Sequence, residues 1–74
     1  MLKGSREGVL TRIQPVSIHG QLSYDVHYTL TEDEQETTHV ARLGAEALSP
    51  QLTAGDRVRI DYLIGVVTAV ERIV

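Results

Sequence analysis

The stretch Gln21-Leu22-Ser23-Tyr24-Asp25-Val26-His27-Tyr28-Thr29-Leu30 decides how the chain is read. Leu22, Tyr24, Val26, Tyr28 and Leu30 fall on one side of an extended backbone, and Gln21, Ser23, Asp25, His27 and Thr29 on the other. That period of two belongs to a strand with one buried face. Residues 57–62 repeat it, with Val58, Ile60 and Tyr62 opposite Arg57, Arg59 and Asp61. Residues 8–14 repeat it more weakly, setting Val9, Thr11 and Ile13 against Leu10, Arg12 and Gln14. Residues 65–74 are apolar on both sides, Val66, Thr68 and Val70 opposing Val67, Ala69 and Ile73, which predicts a strand covered twice.

The punctuation between these runs sets the organisation. Pro15 followed by residues 16–20 predicts a loop after the first strand, and residues 31–36, which hold no hydrophobe, a wide hairpin loop. Residues 44–55 break the alternation. Ala45, Glu46, Ala47 and Leu48 suit one helical turn, which Ser49-Pro50 stops. The reading is all-β: a small five-stranded antiparallel barrel, with strands at about 8–16, 21–30, 37–43, 57–63 and 66–73 and one short helical turn near 45–49. Closure removes the sheet edges. With 74 residues and 8.2 kDa, residues 1–74 form a single domain with a thin core, residues 1–6 being a disordered N-terminus. There is no cysteine, so disulfides, thiolate metal sites and cysteine nucleophiles are excluded. No apolar run is long enough to span a membrane, and the polar start (Lys3, Gly4, Ser5, Arg6, Glu7) is unlike a signal peptide, so a cytoplasmic location is expected.

Gly55-Asp56-Arg57-Val58-Arg59-Ile60 resembles the fourth strand of small OB-fold proteins, and Gly65-Val66-Val67 is similar to their glycine-led fifth strand. Gly8-Val9 and Tyr24-Asp25-Val26 stand where the first two strands of the bacterial translation initiation factor one and S1-like group lie. The resemblance spans about residues 8 to 73 and implies an OB-like barrel. An SH3-like barrel is the alternative, since Gly-Asp-x-Val opens strands there too. As a class expectation, the resemblance implies a non-catalytic module binding single-stranded DNA or RNA. The chain departs from its RNA-binding members in having a single lysine, Lys3, and an acidic second hairpin. The matching residues Gly55, Asp56 and Val58 are turn and core positions, so no ligand contact carries over.

The formal charge of −3 comes from ten acids and seven bases, and Glu32, Asp33, Glu34 and Glu36 supply four of the acids. An acidic tip therefore sits on a nearly neutral body. Arg12, Arg57 and Arg59 are expected outward on neighbouring strands, forming with Arg42 and Tyr24 a face that tracks a nucleic-acid backbone. The plainer alternative is a solvated face whose arginines pair with Asp56, Asp61 or Glu71. Tyr24, Tyr28 and Tyr62 share faces with the aliphatic residues and are expected as core, Tyr24 lying nearest the surface. The competing function is protein–protein interaction or homodimer formation through Leu63 and Ile64, hydrophobes placed in a hairpin turn, with Val67 of the last strand. The 32–36 loop suits docking on a basic partner, or a regulator that mimics a nucleic-acid backbone towards a nucleic-acid-binding protein. His19, His27 and His39 lack metal-ligand spacing, so neither a metal nor another cofactor is expected. No nucleophile, carboxylate pair or phosphate loop suggests an enzyme.

Overall fold

The computed structural model describes residues 3–73. Five strands form one sheet: β1 (Lys3–Ile18), β2 (Gln21–Leu30), β3 (His39–Leu43), β4 (Arg57–Leu63) and β5 (Val66–Arg72), with a single 3-10 turn at Ala45–Ala47. Their spatial order is β3-β2-β1-β4-β5, every neighbouring pair being antiparallel. The architecture is compatible with an OB or an SH3-like barrel. Closure is incomplete. A parallel bridge joins Leu48 to Val70, and the Ser49 N–H donates to the Val70 carbonyl at 3.1 Å, but β3 and β5 share no ladder.

β1 is longer than expected at both ends. Its first half pairs with β4, from Lys3 opposite Leu63 to Val9 opposite Arg57, and its second half with β2, from Gly8 opposite Leu30 to Ile18 opposite Gln21. The expectation of a disordered N-terminus is thus corrected for residues 3–6, which lie in the β1–β4 ladder; Met1 and Leu2 lie outside the described residues. Gly8 sits at the handover between the two partners. A Cβ there would lie 2.5 Å from the Thr29 carbonyl oxygen, so only glycine lets β2 approach this closely.

The loop expected after Pro15 is also corrected. β1 runs through Pro15 to Ile18 and turns in two residues, His19 (φ 51°) and Gly20 (φ 80°). Counting back from that turn places the Pro15–Tyr24 pair at a non-hydrogen-bonded position. The missing N–H therefore faces away from β2, on a flank where β1 has already lost β4.

The core consists of Leu10, Val26, Tyr28, Leu30, Leu52, Val58, Ile60 and Val70, with Tyr24 and Tyr62 packed against it. Two bulges revise the alternation read from the sequence. β1 carries an extra residue at Thr11 and β5 one at Thr68. Leu10 and Ile13 consequently share the inner side, as do Val67 and Val70, while Val66 is left outside. Leu22, expected inside, is 56% exposed. β3 reaches only Tyr24–Tyr28, so the β1–β2 hairpin projects beyond the sheet's covered part. β3 itself begins at His39 rather than Thr37. Asp33 accepts hydrogen bonds from the backbone N–H groups of Gln35 (3.0 Å) and Thr37 (3.2 Å), which holds Thr37 in the loop.

Candidate functional site

The arginines expected to form one face are mostly engaged by carboxylates. Arg42 on β3 makes a bidentate contact to Asp25 on β2, at 2.8 and 3.1 Å. That contact first, and the guanidinium charge second, lower the Asp25 pKa below the usual carboxylate value. Arg57 pairs with Glu7 on the adjoining strand, and Arg59 is held between Asp61 (3.1 Å) and Glu71 (2.6 Å). Arg12 lies past the end of the β1–β4 ladder, opposite His27 on β2, and has no ion pair among the described residues. Tyr24 is half-buried at the other mouth of the sheet, where it shares a cavity of about 370 Å³ with Ile13, Pro15, Leu48 and Leu52.

The expected partner-binding residues fall at the β4–β5 turn. The turn consists of Ile64 (φ 54°) and Gly65 (φ 77°), both in the left-handed region required for a tight two-residue hairpin. Gly65 adopts this conformation freely. Ile64 does not, because its branched Cβ crowds the backbone there. Ile64 is nevertheless 68% exposed, and Leu63 and Val66 beside it are exposed too, so no packing of its side chain explains the conformation. Val67 turns inward and supports this end of the hairpin from beneath.

From Val66 the surface continues into a groove of about 660 Å³ between the two sheet edges. Its floor is Tyr28, Leu30 and Tyr62, and His39, Val40 and Val66 stand at its sides. His39 stacks on Tyr28 with ring centroids 5.4 Å apart. Burial, reinforced by the neighbouring Tyr62, raises the Tyr28 hydroxyl pKa far above its ordinary value, so it stays protonated. Arg6 lies over the Tyr62 ring at 6.0 Å and pairs with Glu32 at 3.4 Å. Nothing in the sequence pointed to Arg6 or His39 as neighbours, because five strands and their order are needed to bring them to one groove.

Arg72 was not singled out by the sequence either. Its guanidinium donates to the carbonyls of Pro50 (3.0 Å) and Gln51 and to the Asp56 carboxylate (3.3 Å), and its backbone N–H donates to Ser49 Oγ at 2.8 Å. It ties the 44–56 connection to β5. Among the described residues no helix is long and apolar enough to cross a membrane. Comparison with protein-family models, curated proteins and solved structures found no match.

Proposed function

We propose that this chain is a non-catalytic binding module that docks a protein partner through the end of the β4–β5 hairpin, with Leu63, Ile64 and Val66 as contacts and Val67 as support. The observation that carries this reading is Ile64. A β-branched residue in the left-handed region costs the fold about 1–2 kcal/mol, and in this turn its side chain points into solvent. An exposed hydrophobe held at that expense, between two others, marks a contact surface.

Arg12 supports a second reading, the binding of single-stranded nucleic acid by an OB-like face, because its guanidinium is not neutralised as those of Arg42, Arg57 and Arg59 are. One comparison separates the two readings. Immobilised wild-type chain, Ile64→Asn and Arg12→Ala are challenged with a host extract, and a labelled oligothymidylate is titrated against each in solution. The protein reading expects a discrete set of polypeptides retained by wild type and Arg12→Ala but lost by Ile64→Asn. Identical retention by wild type and Ile64→Asn, together with oligonucleotide binding that Arg12→Ala abolishes, would replace it by the nucleic-acid reading.

A further inference from the structure

The cavity at the Tyr24 mouth of the sheet has the chemistry of a socket for an apolar side chain. Ile13, Pro15, Tyr24, Ala45, Leu48 and Leu52 line most of it, and no charged residue does. Its polar groups are largely spoken for. Arg72 already donates to Ser49 Oγ and to the carbonyls of Pro50 and Gln51, and the two prolines at the rim offer no N–H. A polar or charged ligand would therefore lose its hydration and gain few hydrogen bonds, whereas an aliphatic side chain loses nothing there. At about 370 Å³ the cavity admits an isoleucine with room to spare.

The chain carries such a plug at its opposite end. Leu63, Ile64 and Val66 stand exposed at the β4–β5 turn, and residues 62–67 hold no charge. The turn cannot fill the cavity of its own chain. Leu63 pairs with Lys3 at the start of β1, and Ile13 lies ten residues further along that strand, about 30 Å at the rise of extended backbone. Charge at the two ends is complementary. Lys3 stands opposite Leu63, Glu46 follows Ala45 at the cavity rim, and neither has an ion pair among the described residues. Turn-to-cavity contact brings these opposite charges near each other, whereas turn-to-turn contact would set Lys3 against Lys3. Exposed charges of this kind add little affinity and select the orientation.

We infer that the partner of the β4–β5 turn is a second copy of this chain, whose Tyr24 cavity receives Ile64, an inference that rests on the protein-partner reading above. The contact is heterologous. Each copy that inserts its turn leaves its own cavity open, so association runs head to tail and continues past a dimer. Few side chains take part, so the contact is weak, with self-association expected at about 0.1–1 mM.

The test is sedimentation velocity on the full chain across that range, with two complementary variants. Ile64→Asn removes the plug and keeps the cavity. Ala45→Trp fills the cavity from an exposed position and keeps the plug, and Ala45→Arg does the same by placing a charge in the lining. Wild type should form species larger than a dimer, and each variant alone should stay monomeric. An equimolar mixture of Ile64→Asn with either Ala45 variant should form a heterodimer and nothing larger, because one plug and one cavity remain. With Ile64→Asn isotope-labelled, NMR shifts in that mixture should cluster at Ile13, Tyr24 and Leu48. Dimers of Ala45→Trp alone would overturn the inference in favour of turn-to-turn contact, and wild-type growth that stops at a dimer would overturn the head-to-tail arrangement. Wild type that stays monomeric at about 1 mM also overturns it; if Ile64→Asn then still abolishes retention of extract polypeptides, the hairpin-end reading stands with a foreign partner. Retention lost by Ala45→Trp but kept by Ile64→Asn would assign the cavity to a foreign segment and sink both readings, as would assembly of Ile64→Asn equal to that of wild type.

Discussion

Ile64 and Gly8 are single residues whose backbone positions set opposite constraints. Ile64 occupies a left-handed turn position that asparagine tolerates better. Ile64→Asn should therefore stabilise the fold by about 1 kcal/mol, seen as a higher urea midpoint with an unchanged slope. Loss of binding together with gained stability would identify a residue kept for contact rather than for folding. Gly8→Ala should do the reverse. Its Cβ would meet backbone rather than a movable side chain, so a loss of about 2 kcal/mol or more is expected in the same measurement. Ile64 was visible in the sequence, since a hydrophobe between two strands breaks turn chemistry. Gly8 was not, because the atom it accommodates belongs to Thr29, on another strand.

At the level of elements, alternation identified β1, β2 and β4, the two-sided apolar run identified β5 and the acidic loop set off β3; the assignment of inward faces failed where a bulge intervened and at Leu22. The inward residues of β2 follow strict period two. Those of β1 and β5 skip a step at Thr11 and Thr68, and nothing local in either sequence announces the extra residue. The groove between the sheet edges was illegible for a related reason: Arg6, Tyr28, His39, Tyr62 and Val66 come from five different strands, and only the strand order assembles them. The 44–56 connection depends on Arg72 in the same non-local way. Arg72→Ala removes donors to two backbone carbonyls and to Asp56, and should destabilise the chain by about 1–2 kcal/mol. Amide exchange should show Gly55 and Asp56 opening before the β1–β2 ladder does, because both N–H groups belong to the segment that Arg72 holds, Gly55 bonding across to Leu10 and Asp56 back to Thr53. Uniform acceleration across the sheet would show instead that Arg72 belongs to a single cooperative core.

For the whole molecule, the excess of acids sets the pH response. Three aspartates have pKa values lowered by the fold, each by a local bond. Asp25 is held mainly by Arg42, Asp33 mainly by the Gln35 N–H, and Asp56 mainly by the Thr53 N–H with Arg72 second. In the unfolded chain each titrates near its ordinary value of about 4. The folded state therefore binds fewer protons than the unfolded state as pH falls through that range. The stabilisation is fully present above the unfolded values and is lost as pH falls through the lowered, folded ones. Urea midpoints should stay level from about pH 7 to 5 and drop progressively below about 4. The three sites differ in what salt does to them. Asp25 depends on an opposite charge at the surface, whereas Asp33 depends mostly on backbone N–H groups. High salt should thus shrink the part of the acid loss that Asp25→Asn removes and leave the Asp33→Asn part nearly intact. Asp33→Asn should also loosen the start of β3, since Thr37 loses the acceptor that keeps it in the loop. A pH profile unaltered by either substitution would place the acid sensitivity in the remaining carboxylates and leave the Asp33 turn without a structural role.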